Sequence, residues 1–318
     1  MKRLFFGSAL LLLTGIIIFS VGCGRKKSTD DTITVGCKNF TEQYIIGEMI
    51  TQLLAARGYE VELVSGLTSE ELRKKLTVGE VDICADYTGT AWILYFQETY
   101  LPGTPPRQLY RMVKERDQVN GIIWLEPIWN DNTYVLVSWP EFPREEGLKT
   151  ISELAEFYRK KDGKVSTFID HEFSRRPDGL RALEKTYTFH VDERFLWVGP
   201  PGQSIKRLKD HEARVAMVFA TDPAIADNDW FIYRDEQMFF PPYDLTPCAR
   251  REILKEHPEV TDILTGLSAT FPITRGEPTP EDIAVCRKIW QTLNSRVDLD
   301  LEDPARVASD YLRREGLI

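Results

Sequence analysis

The chain has 318 residues, of which 42% are hydrophobic and 28% are charged, and its formal net charge at pH 7 is −9. This length and apolar content suit one two-lobed domain or two ordinary domains, and they exclude a disordered, collagen-like or coiled-coil chain. The negative charge disfavours a nucleic-acid partner, and since the sequence has no zinc-ligand spacing and no glycine-rich phosphate loop, we expect no metal and no cofactor.

The first 31 residues have the pattern of a secretion signal. Lys2 and Arg3 precede a nearly unbroken apolar run that ends at Gly22, and Cys23 follows at once. A Cys in this place resembles the lipidated residue of a bacterial lipoprotein, although Ser20 stands where the usual motif has Leu. We predict a signal peptide at 1–22, lipidation of Cys23 and a tether at 23–31. The alternative is an uncleaved membrane anchor, and both place the rest of the chain outside the cytoplasm.

Strands and helices alternate in the first third of the chain. The patterns predict strands at 32–35, 61–64 and 81–85, and helices at 42–57 and 70–78. Ser69 is the expected N-cap of the second helix, and Gly58 and Gly79 end the two helices. This order of elements predicts right-handed crossovers and a parallel sheet.

The same alternation resumes later and gives way to helices. We predict strands at 134–137, 165–167 and 215–219, and helices at 151–159, 179–187, 249–257, 261–267, 280–294 and 304–315. Two α/β stretches followed by helices indicate a bilobed molecule, with crossovers near Asn132 and Phe239. Lobe I then comprises 32–132 plus 239–318, and lobe II comprises 133–238.

The cysteines beyond the signal leave two readings open. Cys37, Cys84, Cys248 and Cys286 are an even number, which permits two disulfides outside the cytoplasm. Cys37 and Cys84 each end a predicted strand and are the candidate pair. Buried free thiols are the alternative.

Ligands of open α/β sheets bind beyond the carboxyl ends of strands, so the turns after Val35, Ala85 and Phe219 are the expected site. In the first turn, Thr41 is a candidate cap of a helix whose N-terminus attracts anions, and Lys38 strengthens that field. In the next turn, Tyr87 is followed by Thr88 and Thr90 on either side of Gly89. This combination of an aromatic ring and hydroxyl groups suits a site that binds an apolar cation beside an anion. By themselves, these turns are more typical of a solvated lysine at Lys38 and a packing tyrosine at Tyr87.

Six segments in order resemble one family. They are CKNFTEQ at 37–43, GEVDI at 79–83, DYTGTAW at 86–92, NTY at 132–134, FSRRPDGL at 173–180 and FFPPYD at 239–244. Together they resemble the osmoprotectant-binding proteins of ABC importers, which take up glycine betaine, carnitine and choline. The resemblance runs from about Ile33 to the C-terminus.

This resemblance implies an α/β fold, the bilobed periplasmic-binding-protein fold of type II with a ligand cleft between the lobes, and a membrane-embedded ABC permease as partner. It implies an aromatic cage around the quaternary nitrogen of the ligand, formed by Tyr87, Tyr134, Phe219 and Tyr243. It also implies a set of residues for the ligand carboxylate, namely Lys38, Thr90 and Arg176. Phe219 departs from the usual Tyr, and Asn132 stands where some relatives have Asp.

The chemistry of such a ligand agrees with these residue types. A trimethylammonium group has no N–H, so it is selected by aromatic ring faces, each contributing roughly 0.5–2 kcal/mol, and Arg matches a carboxylate. We therefore predict capture without catalysis, followed by closure of the lobes and docking on the permease. The alternatives are a binding protein for another small polar solute, an extracytoplasmic sensory module, and an enzyme on the same fold, for which the turns show no nucleophile–base pair.

Overall fold

The computed structural model describes residues 32–226, 230–272 and 276–318. The predicted signal peptide, the lipidation site Cys23 and most of the tether lie outside these residues. In the described part of the chain, no helix combines the length and apolar character that crossing a bilayer requires.

The strands form two five-stranded sheets. In chain order they are β1 (Thr32–Lys38), β2 (Glu60–Leu67), β3 (Ile83–Tyr87), β4 (Ile122–Trp124), β5 (Tyr134–Ser138), β6 (Thr167–Asp170), β7 (Leu196–Gly199), β8 (Val215–Phe219), β9 (Phe231–Ile232) and β10 (Leu245–Arg250). The first sheet has the order β2-β1-β3-β10-β4, and the second has the order β7-β6-β8-β5-β9.

The predicted parallel pairing is confirmed for β1, β2 and β3, but each complete sheet also contains antiparallel pairs and is therefore mixed. β10 runs antiparallel to β3 and β4 in the middle of the first sheet, and β5 runs antiparallel to β8 in the second. The predicted helix at 249–257 also begins later, at Arg251, because its first residues belong to β10. Pro247 concealed this strand, since proline is ordinarily confined to the edges of sheets.

Helices cover the sheets. They are α1 (Thr41–Ala56), α2 (Ser69–Val78), α3 (Thr88–Thr90), α4 (Pro106–Asp117), α5 (Glu141–Glu146), α6 (Ile151–Lys160), α7 (Leu180–Tyr187), α8 (Gln203–Lys209), α9 (Pro223–Ala226), α10 (Arg251–Glu256), α11 (Glu259–Ser268), α12 (Pro280–Asp298) and α13 (Pro304–Arg314). The N-cap of α2 is Thr68 rather than the predicted Ser69, because Thr68 and Glu71 form a reciprocal capping box. Gly79 ends α2 with a φ of 82°, as predicted.

The chain passes between the two sheets twice, and the two crossing segments are hydrogen-bonded to each other. The Asn132 amide donates to the Tyr243 carbonyl at 2.9 Å, and the Tyr243 amide donates to Asp131 Oδ1 at 3.0 Å. After the second crossing the C-terminal helices return to the first sheet, where α13 and α12 pack on α1. These paired segments are the place where a hinge between the sheets would bend.

The cysteines of the described residues are free thiols and are buried. Cys84 lies opposite Cys248 in the β3–β10 pair, and the candidate partner Cys37 is not bonded to Cys84. Burial raises the pKa of Cys37 to about 12, which keeps its thiol protonated and unreactive. The structure therefore favours buried free thiols over disulfides for these cysteines.

Candidate functional site

A cavity of about 620 Å³ receives side chains from both sheets. The residues that the sequence predicted for a ligand site all line it, and they are Lys38, Tyr87, Thr90, Tyr134, Arg176, Phe219 and Tyr243. They come together because β1 and β3 end at this cavity from one side, while β5 and β8 present a cross-strand pair from the other. The structure thus brings these residues to one place.

The predicted cage residues form one cluster of aromatic rings. The ring centre of Tyr134 lies 5.4 Å from that of Phe219 and 5.4 Å from that of Tyr243, which meets it edge to face. Phe40 connects the remaining ring, because it stacks on Phe219 at 5.2 Å and on Tyr87 at 6.1 Å. The sequence analysis missed Phe40 as a cavity residue, although it lies within the CKNFTEQ motif.

Two local features of the backbone position these rings. Tyr134 and Phe219 are directly opposite each other in the antiparallel β5–β8 pair, so both side chains emerge on the same face of the sheet. Gly89 lies against the segment that carries Tyr243, since a Cβ at this position would be 2.9 Å from Tyr243 Cδ1 and 2.9 Å from the Pro242 carbonyl oxygen. The glycine therefore permits a close approach that a larger residue would prevent.

The tyrosines of the cluster are neutral phenols. Burial raises the pKa of Tyr87, Tyr134 and Tyr243 well above the ordinary value. The Tyr87 hydroxyl donates to Glu42 Oε1 at 2.7 Å, and the Tyr243 hydroxyl donates to Asp178. Each of these two rings is thus neutral but is hydrogen-bonded to a carboxylate, which favours an electron-rich ring face.

Lys38 forms an ion pair within the wall of the cavity. The Lys38 side chain is buried, and its Nζ lies 2.6 Å from Asp86 Oδ1 and 5.1 Å from the centre of the Tyr87 ring. Asp86 also accepts a hydrogen bond of 2.7 Å from the Tyr95 hydroxyl. The positive charge of Lys38 is therefore balanced within the protein.

Arg176 is engaged on both edges of its guanidinium. Nε and Nη2 donate to the two carboxylate oxygens of Asp178 at 2.8 and 2.7 Å. Nη1 donates to Glu172 Oε1 at 3.0 Å and approaches Thr90 Oγ1 at 3.4 Å. The fork predicted to face the ligand carboxylate is occupied by Asp178 in the structure, and Thr90, which also lines the cavity, contacts the remaining nitrogen.

Glu172 adds a further negative charge that sequence reasoning did not assign to the site. It lines the cavity and also accepts a hydrogen bond of 2.8 Å from Ser69. Burial alone would raise the pKa of Glu172, but Lys38 and Arg176 outweigh burial and hold it below its usual value. Around the two basic residues there are thus three carboxylates, from Asp86, Glu172 and Asp178. Both basic residues are therefore paired with carboxylates of the protein, and the wall that carries them has no excess positive charge.

The predicted cap at Thr41 was wrong. The N-cap of α1 is Phe40, which makes no side-chain capping bond, and the Thr41 hydroxyl instead donates to Asp298 Oδ1 at 2.5 Å.

Asp170 and His171 directly precede Glu172 in the chain and also line the cavity. Among the described residues, however, no group of His, Cys, Asp or Glu is suited to hold a metal ion.

Comparison with known proteins places this site in a family. Residues 31–314 match the model of the substrate-binding domain of ABC-type glycine betaine transport systems. The chain belongs to this family. It is similar to the glycine-betaine-binding protein of Pseudomonas aeruginosa, with 31% identity over 91% of this chain and 89% of that one. It is also similar to the carnitine transport binding protein OpuCC of Listeria monocytogenes, with 29% identity over 99% of this chain and 98% of that one.

Solved structures agree on the fold. Apo YehZ of Escherichia coli has a TM-score of 0.60 and 27% identity, covering 90% of this chain and 99% of its own. A glycine betaine/carnitine/choline ABC transporter structure has a TM-score of 0.68 at 23% identity, with the same two coverages of 90% and 99%. The fold is therefore the bilobed, type II fold of periplasmic binding proteins, as the sequence predicted, and the chain is the substrate-binding component of an ABC transport system.

Proposed function

We propose that this protein captures glycine betaine, or a closely related quaternary-ammonium osmoprotectant, outside the cytoplasm and delivers it to an ABC permease. Lipidation of Cys23 would hold it at the membrane. The observation that carries this proposal is the ring cluster of Tyr87, Tyr134, Phe219 and Tyr243, which faces a single cavity between the sheets. Within this proposal, 32–132 plus 239–318 form lobe I and 133–238 form lobe II.

The rings account for the preference for a quaternary cation. A trimethylammonium group is large and weakly hydrated, so it gains more from aromatic faces than it loses in hydration. Neutral phenols that donate to buried carboxylates, as Tyr87 and Tyr243 do, keep their ring faces negative. Four faces at about 1–2 kcal/mol each approach the roughly 8 kcal/mol of a micromolar complex before the cost of association is counted.

The carboxylate of the ligand would lie at the edge of the cage. The guanidinium carbon of Arg176 is 5.7 Å from the ring centres of both Tyr134 and Tyr243, so a short zwitterion can reach rings and guanidinium together. On that side Arg176 Nη1 donates to Glu172 Oε1 and to Thr90 Oγ1, so the ligand carboxylate would replace one of these two acceptors. Lys38 also lines the cavity, with its Nζ over the Tyr87 ring, but its charge is paired with Asp86, so we give it a smaller part in holding the ligand carboxylate. Binding across the two sheets favours a closed arrangement, which the permease would recognise.

Calorimetric titration of a soluble form that begins after Cys23 tests the proposal. We expect micromolar or tighter binding of glycine betaine, weaker but measurable binding of choline, and no binding of proline, which is a zwitterion without a quaternary nitrogen. Carnitine belongs in the same series because its ammonium is identical and its chain is longer. Binding of proline without binding of any quaternary ligand would contradict the proposal.

A further inference from the structure

A buried carboxyl group lies directly behind the ring cluster. Glu42, at the start of α1, is 1% exposed and lines a second cavity of about 150 Å³. This small cavity shares Phe40, Asn132 and Phe219 with the large one. Glu42 does not line the large cavity itself, so it would act on a ligand there only through its neighbours.

The contacts of Glu42 converge on one of its oxygens. Oε1 accepts hydrogen bonds from the Tyr87 hydroxyl at 2.7 Å and from the side-chain amides of Asn130 and Asn132 at 3.2 Å each. Oε2 is buried and accepts no hydrogen bond from the described residues. The Thr221 hydroxyl lies close to this carboxyl but donates to Asn132 Oδ1 at 2.9 Å. Oε1 is thus held by three hydrogen bonds, whereas Oε2 has no hydrogen-bond donor among the described residues to offset its burial.

The geometry points to Glu42 as the positioning residue that makes the cage selective for a cation. It acts through Tyr87, whose phenol donates to it, and through Asn132. A phenol bonded to a carboxylate has a more electron-rich ring than one bonded to water, and the charge at the hydroxyl edge of the ring adds to the attraction of a cation at the ring face. Glu42 would supply the negative charge that Asn132, being neutral, does not. This inference rests on the proposed function, because it concerns the selectivity of the same site.

The charged groups around Glu42 do not neutralise it. Asp222, after β8, and Asp298, in α12, line the same small cavity, and none of the described residues that line it is basic. The nearest positive charge on the side of Tyr87 is Lys38, which is already paired with Asp86. Tyr87 stays protonated throughout the neutral range, because burial raises its pKa well above the usual value.

The protonation of Glu42 should therefore respond to the ligand. Burial raises the pKa of Glu42 to about 7, against the lowering effect of its hydrogen-bond donors. A cation in the cage favours the ionised form, so binding lowers this pKa and releases a proton near neutrality. By linkage, the affinity for the ligand rises as pH increases from 6 to 8.

The test is calorimetric titration of glycine betaine into the wild-type protein and Glu42→Gln between pH 5.5 and 8.5. Measurements in phosphate and in Tris, whose ionisation enthalpies differ, count the protons released. For the wild type we expect release of a fraction of a proton at pH 7 and an affinity that rises severalfold from pH 6 to pH 8. For Glu42→Gln we expect no proton release, no pH dependence in this range and about tenfold weaker binding at pH 8, since one pKa unit corresponds to a factor of ten.

The matched control is Asp222→Asn, because burial also raises the pKa of Asp222, to about 6, and it lines the same cavity. This variant should keep the wild-type pH profile. If the profile persists in Glu42→Gln, or disappears in Asp222→Asn, Glu42 does not have this role. A wild type that binds betaine with no pH dependence overturns the inference alone, whereas a wild type that binds no quaternary ligand at any pH overturns the proposed function. Asp170 lines the large cavity and burial raises its pKa to about 6, so if Glu42→Gln does not fold, Asp170→Asn is the deciding variant. Proton release that persists in both Asp170→Asn and Asp222→Asn supports Glu42, and its loss in Asp170→Asn overturns the inference.

Discussion

Phe219 lacks the hydroxyl that the other predicted cage residues carry. Its ring lies 5.2 Å from Phe40 and 5.4 Å from Tyr134 and also borders the small acidic cavity. A hydroxyl added to this ring can donate to a carboxylate of the small cavity, as the hydroxyls of Tyr87 and Tyr243 donate to Glu42 and Asp178. Phe219→Tyr should therefore strengthen betaine binding severalfold, as measured by calorimetry. Phe219→Leu, which keeps an apolar side chain but removes the ring, should weaken binding by roughly 0.5–2 kcal/mol. Loss of binding in Phe219→Tyr would count against a ligand position at this ring.

Arg176 is the residue that should separate ligands with a carboxylate from those without one. In Arg176→Ala the ligand carboxylate loses its cationic partner, while Asp178 and Glu172 remain as negative charges beside the rings. We expect betaine binding to fall at least tenfold and choline binding to be retained or to improve, in parallel titrations. Removing one partner of a buried ion pair costs roughly 3–5 kcal/mol, so thermal unfolding must show that the variant is folded. Equal losses for both ligands would contradict this division of roles.

The seven predicted site residues could be named from sequence because they lie in or next to the short motifs that resemble the family of osmoprotectant-binding proteins. The state of Arg176 could not be predicted. Whether its fork faces a ligand or Asp178, two positions along the chain, depends on a turn conformation that has no local sequence signal. Glu42 was overlooked for a similar reason, since a glutamate at the start of a helix ordinarily indicates only a favourable charge there.

Gly89 shows how one element positions another. It lies in α3, and a Cβ added to it would be 2.9 Å from Pro241 Cγ, the Pro242 carbonyl oxygen and Tyr243 Cδ1. Gly89→Ala should displace the segment that carries Tyr243, lower the melting temperature by several degrees and weaken betaine binding about tenfold or more. The control is Gly266→Ala in α11, where a Cβ meets nothing within 4 Å. This second variant should stabilise the protein by up to about 1 kcal/mol and leave binding unchanged. Full binding by Gly89→Ala would show that Tyr243 is not held by this contact.

Elements with strong periodicity were predictable, and those that depend on tertiary contacts were not. α1 and α12 have apolar residues at helical spacing together with clear start or stop signals, so the predicted helices agree with them within a few residues. β4 has only three residues, too few for an alternating pattern, and β10 has six but contains Pro247, which ordinarily argues against an interior strand. Both strands depend on pairing inside the first sheet. Because β10 was not predicted, the antiparallel pairs that make the first sheet mixed were not predicted either.

The whole molecule should be least stable at high pH when no ligand is bound. Burial raises the folded-state pKa of Glu42 to about 7 and those of Asp170 and Asp222 to about 6. A carboxyl with a raised folded-state pKa stabilises the protein fully below its unfolded pKa, and this contribution is lost as pH rises through the folded value. The melting temperature of the unliganded protein should therefore fall between pH 5 and pH 8.

Two comparisons check this pH dependence. Saturating betaine should raise the melting temperature more at pH 8 than at pH 5, because the cationic head group of the ligand stabilises the ionised form of Glu42. Glu42→Gln, which cannot ionise, should be more stable than the wild type at pH 8 and differ little from it at pH 5. A wild-type melting temperature that rises from pH 5 to pH 8 would mean that these buried carboxyls do not govern stability in this range.

Glycine betaine and its carbon isostere, 3,3-dimethylbutanoate, differ only in the replacement of the quaternary nitrogen by carbon, which leaves the head group of the isostere uncharged. Both have the same shape, and both carry a carboxylate for Thr90 and Arg176. If the rings of Tyr87, Tyr134, Phe219 and Tyr243 surround a positive head group, betaine should bind at least thirtyfold more tightly than the isostere, since several ring faces each contribute roughly 0.5–2 kcal/mol to the cation alone. Equal affinity for the two ligands in the same calorimetric titration would contradict recognition of the charge by the aromatic cage.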